Sequence, residues 1–207
     1  MNFEQTHRDA LTEVLRWRRD VRHFRPDPID EAVIDRLRAV MDMAPSVGNA
    51  RPWRVIRVDS PALRAEVLAN FNAARAAAGS AYAGEQAEAY ATLKLQGIDQ
   101  APLQLAVFTH RDPAAGHGLG RASMPVTLQQ STAMAIHTLW LAARAENLGL
   151  GMVSVLDPKA VERLLNAPPD WDFVAWLCIG VPEFTDDTPL LHRAGWQENL
   201  PTEWERR

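Results

Sequence analysis

Four short apolar segments with the character of β-strands are spread along the chain and are separated by helical segments. They cover residues 53–58, 103–110, 151–156 and 173–181, and aliphatic or aromatic residues form most of each. No linker divides this alternation into two parts. Because 207 residues are enough to bury one sizeable core, we predict a single α+β domain over residues 1–207.

The segments between the strands have apolar residues at helical spacing. A first helix is predicted to stop near Arg19, and a second to begin at Asp30, which can cap it, and to end before Pro45. Residues 61–78 and 158–166 predict two further helices. Residues 124–148 predict a long helix that is apolar around much of its circumference, which is typical of a central helix or an oligomer interface.

Net charge and cysteine content indicate which kinds of binding partner and which cellular compartment suit the chain. A net charge of -4 gives no field suited to nucleic acid. The single cysteine, Cys178, lies in an apolar run and cannot form an intrachain disulfide, which favours a reducing compartment and a cytoplasmic location. No signal peptide and no membrane span are indicated.

The common catalytic and metal-binding motifs are absent. The chain has no phosphate loop, no GxSxG elbow and no HExxH pair. His110 and His117 lack partners at metal-ligand spacing, so we predict no metal site. The glycines of residues 116–120 do not lead directly into a helix, which argues against a dinucleotide fingerprint.

A basic cluster after the first helix is the clearest chemical signal. Arg18, Arg19 and Arg22 surround Asp20 in a pattern of planar donors suited to an anion. Three other stretches accompany it: residues 44–53 contain Ala-Pro-Ser-x-x-Asn-x-x-Pro-Trp, residues 149–158 begin with Gly-Leu-Gly, and residues 180–196 contain Gly-x-Pro and a later arginine.

These four stretches together resemble the FMN-binding nitroreductase superfamily over nearly the whole chain. The resemblance implies a nitroreductase-like FMN-binding fold, with a central, mostly antiparallel sheet flanked by helices. It also implies a homodimer in which each FMN is bound between the subunits.

Residues 18–29 and 151–158 narrow the resemblance. Asp20 stands where most nitroreductases carry serine. The chain in this respect is similar to the branch that fragments reduced FMN with O2 to 5,6-dimethylbenzimidazole and D-erythrose 4-phosphate, in vitamin B12 biosynthesis. Reduced FMN is then a small-molecule substrate, O2 is the co-substrate, and NAD(P)H acts only indirectly, through flavin reduction by a separate reductase.

The resemblance also assigns cofactor-binding positions. They are Arg18, Arg19, Asp20, Val21, Arg22, Ser46, Gly48, Asn49, Leu103, Val153, Ser154 and Arg193. In this assignment Arg18, Arg22 and Arg193 hold the phosphate, and Arg19 contacts the ribityl chain or the phosphate. Ser46, Gly48 and Asn49 face the flavin ring, whereas Leu103 either contacts the flavin edge or packs in the core.

Asp20 and Ser154 are the candidate catalytic residues. Breaking a carbon–carbon bond of the ribityl chain requires a base beside the sugar, and Asp20 is placed for that role. The neighbouring arginines favour its ionised form and predict a weakly basic carboxylate; Asp20 alternatively only organises the arginines. Ser154 either donates a hydrogen bond near N5 of the flavin or is a buried serine bonded to the main chain.

Residues 79–97 favour helix but contain few large apolar side chains, so we predict a lid that anchors little of the core and closes over the flavin.

Two alternative functions remain open at this point. One is an FMN-dependent NAD(P)H reductase acting on nitro compounds, quinones or corrinoids, and the other is a non-catalytic flavin-binding protein.

Overall fold

A four-stranded antiparallel sheet forms the centre of the computed structural model, which describes residues 1–207. The strands are β1 (Trp53–Arg57), β2 (Leu103–His110), β3 (Gly149–Val153) and β4 (Trp171–Gly180). Their order across the sheet is β1-β2-β4-β3, and every neighbouring pair is antiparallel. The predicted α+β class with an antiparallel central sheet is confirmed.

Seven α-helices surround the sheet: α1 (Gln5–Trp17), α2 (Glu31–Met41), α3 (Pro61–Gly79), α4 (Gly84–Thr92), α5 (Thr127–Ala145), α6 (Pro158–Leu164) and α7 (Leu190–Arg193). The Asp30 carboxylate accepts a hydrogen bond from the Ala32 N–H (2.8 Å) and caps α2 as predicted. Asp157 caps α6 in the same way. None of the helices combines the length and the apolar composition that crossing a membrane requires.

The sheet separates two apolar clusters, because successive side chains of a strand point to opposite faces. Leu177 and Ile179 of β4 face a cluster that includes buried residues of α2 and α5. Trp176 and Cys178 face the other cluster, which includes buried residues of α3 and α6. The central position predicted for the long helix is therefore confirmed, since α5 has eight buried residues along its length.

Several boundaries differ from the prediction, and those of the third strand change the position of a site residue. The third strand begins at Gly149 and ends at Val153, rather than covering residues 151–156. Asn147 has a φ of 59°, which turns the chain out of α5 early enough for Gly149 to pair with Gly180. Ser154 therefore lies just beyond the sheet. The short helix α7 had no periodic signal because it contains only four residues.

The segment from residue 79 to residue 97 has two parts. α4 has a single buried residue, Tyr90, and the residues from 80 to 89 are exposed or half-buried. From Tyr90 onward the chain is packed: Leu93 and Gln96 are buried, and the Arg75 guanidinium donates to the Leu93 carbonyl (2.8 Å). The predicted weak anchoring to the core thus describes only the part before Tyr90, because Arg75 of α3 holds the later part through hydrogen bonds.

Candidate functional site

Residues 18–25, called here the arginine segment, lie along the outer edge of β3. Asp20 forms a parallel bridge with Leu150, and the Val21 N–H donates to the Leu150 carbonyl (3.1 Å). Farther on, the Arg25 N–H donates to the carbonyl of Val181 (2.9 Å), just after β4. The segment therefore covers an edge that β3 would otherwise leave unpaired.

Glycine in β3 allows this close approach. A Cβ atom at position 151 would overlap the Val21 carbonyl oxygen, and one at position 149 would lie 2.7 Å from the Val21 side chain. Both contacts are far closer than carbon atoms tolerate. The Gly-Leu-Gly motif thus provides the space in which the arginine segment lies.

The Asp20 carboxylate is fixed by the main chain of β3 and by Arg22. One oxygen accepts a hydrogen bond from the Met152 N–H (2.9 Å), and the other forms an ion pair with the Arg22 guanidinium. Arg22 Nη2 also donates to the Met152 carbonyl (2.8 Å). The Arg22 side chain is only 9% exposed, whereas that of Asp20 is 36% exposed. The carboxylate is thus held rigidly and remains open to a ligand.

Burial raises the pKa of the Asp20 carboxyl above its ordinary value. The charge of Arg22 and the hydrogen bond from Met152 oppose this shift but do not outweigh it. The weakly basic carboxylate expected from the flanking arginines is therefore wrong in direction. Loss of hydration around the carboxylate has the larger effect, and it makes Asp20 a better base.

A small cavity of ≈ 40 Å³ lies beside Asp20 and is called here the arginine cavity. Five of the predicted binding residues line this cavity: Arg19, Asp20, Val21, Arg22 and Arg193. Arg193, on α7, forms an ion pair with Asp186 (3.0 Å), which also lines the cavity. The volume is that of a few water molecules, so the cavity suits the phosphate end of a ligand rather than a flavin ring.

Arg18 is turned away from this cavity. Its guanidinium lies over the Trp140 ring, 4.8 Å from the ring centroid, and Arg18 lines a separate small cavity with Trp140. The Trp140 indole N–H donates to the Arg19 carbonyl (3.3 Å). Of the three arginines assigned to the phosphate, Arg22 and Arg193 line the arginine cavity and Arg18 does not. Arg19, which was assigned to the ribityl chain or the phosphate, also lines it.

Several buried N–H groups of the arginine segment have no acceptor. They are Nε of Arg18 and both Nε and Nη1 of Arg22. Each such group costs about 1–3 kcal/mol unless a bound molecule provides an acceptor. Burial and the nearby charge of Arg18 also lower the pKa of Arg19. This concentration of uncompensated positive charge fits an anionic ligand such as the phosphate of FMN.

The turn after α2 carries the predicted ring-facing residues. Ser46 Oγ accepts a hydrogen bond from the Arg51 N–H (3.0 Å), and the Asn49 side chain is exposed. Gly48 has a φ of 55°, and a Cβ atom there would lie 3.0 Å from the Gly116 carbonyl oxygen. Glycine at this position thus allows the turn to pack against the loop of residues 116–120.

This turn is far from the arginine segment within one chain. The Val47 N–H donates to Ser131 Oγ (3.0 Å), near the start of α5, whereas Arg18 contacts Trp140, near its end. The nine residues from Ser131 to Trp140 correspond to about 14 Å along the helix axis. A single chain therefore does not bring these two groups of predicted residues together.

The remaining predicted residues lie on or near strands. Leu103 is 3% exposed and belongs to the apolar cluster on the α5 side of the sheet, so of its two alternatives packing in the core is the one observed. Val153 is buried on the opposite face. Ser154 is exposed, which excludes the alternative of a buried serine, and it follows Met152 by two residues. It therefore lies at most about 7 Å along the chain from the main-chain groups that hold Asp20.

Sequence reasoning missed several contributors to this site. Met152 acts through its main-chain N–H and carbonyl, which no side-chain pattern reveals. The sequence pattern indicates for Trp140 only a place on the apolar surface of α5, and no motif includes Arg144 or Asp186. Arg144 lies in the last turn of α5, and only the tertiary fold brings it to the cavity that the other arginines line.

Comparison with known proteins identifies the relatives of the chain. The profile of the Nitroreductase family matches residues 15–181. A 5,6-dimethylbenzimidazole synthase from Rhodobacter capsulatus is 96% identical over 207 residues, which is 100% of both chains. A second protein of that name, from Rhodospirillum rubrum, is 53% identical over 199 residues and covers 96% of this chain and 94% of its own length.

Solved structures share the fold at lower identity. An iodotyrosine deiodinase bound to FMN and 3-iodo-L-tyrosine has a TM-score of 0.74 at 21% identity, covering 95% of this chain and 97% of its own. A nitroreductase with bound FMN from Desulfitobacterium hafniense has a TM-score of 0.64 at 19% identity, covering 86% and 91%. The fold predicted from the four sequence stretches is confirmed.

Replacement of Gly151 by alanine should displace the arginine segment, because the new Cβ atom has no space beside the Val21 carbonyl. We expect the free energy of unfolding in urea to fall by about 1–3 kcal/mol, as is typical of overpacking. The control is Gly79→Ala, where the added Cβ meets only the edge of the Tyr90 ring at 3.3 Å. Equal stability of the two variants would contradict the assigned contact.

Proposed function

The chain belongs to the nitroreductase family, and from that membership we propose that it acts as a 5,6-dimethylbenzimidazole synthase. Reduced FMN and O2 are its substrates, and 5,6-dimethylbenzimidazole and D-erythrose 4-phosphate are its products in vitamin B12 biosynthesis, with the rest of the flavin pyrimidine ring and the two oxygen atoms leaving as a third fragment. The relative that is 96% identical over the full length and bears this enzyme name supports the proposal. The observation in the site that carries it is the half-buried, rigidly held Asp20 carboxylate beside a cavity lined by arginines.

The arginine cavity is the proposed site of the FMN phosphate. Arg22 and Arg193 each already pair with a carboxylate, and Arg22 retains buried N–H groups without an acceptor. Arginine suits a phosphate because its planar donors can bind two oxygens at once. A phosphate held there directs the adjacent ribityl chain toward Asp20, since Asp20 lines the same cavity.

Asp20 is the proposed general base. Each of its carboxylate oxygens accepts one hydrogen bond from the protein, which leaves lone pairs free to accept a substrate proton. The raised pKa brings its basicity closer to what proton abstraction near neutral pH requires. Its exposed surface gives the proton a path to solvent after each turnover. Reduced FMN supplies the electrons for O2 and the carbon atoms of the product.

Ser154 is proposed to contact the flavin ring. It is exposed at the end of β3, two residues beyond the Met152 groups that fix Asp20. A ligand with its phosphate among the arginines and its ribityl chain at Asp20 would extend along this edge of β3. The hydroxyl of Ser154 can then donate a hydrogen bond near N5, which influences how the reduced ring meets O2.

The active form is proposed to be a homodimer with each FMN bound between subunits. Ser46, Gly48 and Asn49 lie near the start of α5, far from the arginine segment of the same chain. A two-fold dimer can bring this turn of one chain to the arginine segment of the other. The exposed apolar side chains of Leu11 and Leu15 on α1 are further candidates for the interface.

Three further features complete the proposal. Residues 79–97 act as the lid, with the movement confined to the weakly packed part before Tyr90. Reduced flavin comes from a separate NAD(P)H-dependent flavin reductase. A reducing cytoplasm suits the single thiol, Cys178, whose pKa is raised to about 12 by burial.

Replacement of Asp20 by asparagine should strongly slow synthesis while retaining flavin binding. We expect product formation to fall about 10²- to 10⁴-fold, the usual contribution of a general base. Protein is mixed with chemically reduced FMN, air is admitted, and products are separated by chromatography and identified by mass spectrometry. The control is Asp27→Asn, which removes an exposed carboxylate paired with Arg25. If the wild type returns all flavin as oxidised FMN, the synthase proposal falls, and assays with NAD(P)H and an acceptor distinguish a reductase from a flavin binder.

The rate of product formation should depend on pH through Asp20. Because its folded-state pKa is raised, the ionised base is lost on acidification at a higher pH than an ordinary aspartate would be. We expect the rate to fall as the pH decreases through this raised pKa, and the residual rate of Asp20→Asn to lack that step. An identical acidic limb in the variant would assign the titration to another group.

Hybrid dimers test the shared site. Asp20→Asn and Asn49→Ala chains are expected to be inactive as separate homodimers. If each site combines Asp20 of one chain with Asn49 of the other, a hybrid dimer has one intact site and about half of the wild-type activity. The hybrid is prepared by coexpression with two different tags and sequential purification. A hybrid without activity would place both residues at the FMN within a single chain and contradict the proposal.

A further inference from the structure

Arg144 is a cavity-lining arginine that none of the sequence motifs includes. It lies in the last turn of α5, 119 residues beyond the end of the arginine segment along the chain. The fold nevertheless makes it part of the wall of the arginine cavity, together with Arg19, Arg22 and Arg193. It also lines the small neighbouring cavity beside Trp140.

The charges that line the arginine cavity do not balance within the protein. Four arginines and two acidic residues, Asp20 and Asp186, are among the residues that line it, which leaves an excess of two positive charges. A phosphate monoester carries about -1.5 to -2 charges at neutral pH. The excess thus matches a single phosphate group.

The donors of Arg144 are less committed than those of the other arginines. Arg22 pairs with Asp20, Arg193 pairs with Asp186, and Arg19 donates to main-chain carbonyls. Arg144 makes one side-chain hydrogen bond, to Asn147 Oδ1 at 3.3 Å, and no ion pair within the chain. Since a guanidinium has five N–H donors, most of those on Arg144 are free for a ligand.

We propose that Arg144 binds the phosphate of FMN and makes the protein select phosphorylated flavin over riboflavin. This inference rests on the proposed function, because it assigns the arginine cavity to the phosphate. The competing role for Arg144 is purely structural, since a cation in the last turn of a helix interacts favourably with the helix dipole. Binding measurements separate the two roles, because the dipole contribution does not depend on the phosphate.

The test compares oxidised FMN with riboflavin, each titrated into the full-length protein and followed by quenching of flavin fluorescence. Arg144→Gln should weaken FMN binding about 10- to 100-fold, as expected for loss of a charged hydrogen-bond partner, and leave riboflavin binding unchanged. Arg163→Gln is the matched control, since Arg163 is an exposed arginine in the last turn of α6, outside the cavity. Thermal unfolding of each variant checks the fold.

Three results would bear on the inference differently. An Arg144→Gln protein that loses FMN and riboflavin affinity equally, or that keeps the full preference for FMN, overturns the role of Arg144. A wild-type protein without any preference for FMN over riboflavin overturns the phosphate cavity itself. Binding of oxidised flavin involves no turnover, so these outcomes are independent of whether 5,6-dimethylbenzimidazole is formed.

Discussion

The close contact between the arginine segment and β3 is the constraint on which the candidate site depends. Gly151 leaves space for the Val21 carbonyl, and only with that space can Asp20 and Arg22 reach the main chain of Met152. Both side chains are then fixed by a strand of the central sheet rather than by a loop. A site built on a rigid strand holds a base in one position, which is what directed proton transfer requires.

The second constraint is electrostatic, and it explains why one acid lies among several arginines. Asp20 neutralises Arg22, which is almost fully buried, and a buried guanidinium without a counter-charge would be costly. Burial also raises the pKa of Asp20, so the ion pair with Arg22 and the proposed role as a base depend on the same environment. The remaining arginines repel one another and leave donors free. Binding an anion relieves that repulsion and therefore stabilises the folded chain as well as holding the ligand.

Helix α5 connects the two parts of the site to the core. Its buried face packs on the sheet through residues such as Ile136 and Leu139. Its ends contact different groups: Ser131 bonds to the turn of residues 46–49, and Trp140 contacts Arg18. Because these contacts are separated by more than two helical turns, the halves of the site are spaced by the length of a rigid helix. In the proposed homodimer, symmetric pairing of two chains would bring these two groups of residues together.

The sequence by itself determined the strands, most helices, the cap at Asp30 and the chemical character of the arginine cluster. These features depend on residues close together in the chain, whose periodicity and side-chain chemistry can be read directly. Only the tertiary structure decided that Asp20 bonds to Met152, 132 residues away, that Arg18 turns toward Trp140, and that Arg144 joins the cavity. It also reversed the expected basicity of Asp20, because burial depends on what packs around a carboxylate. Local pattern specifies which elements form, whereas desolvation and long-range contacts depend on how those elements pack together.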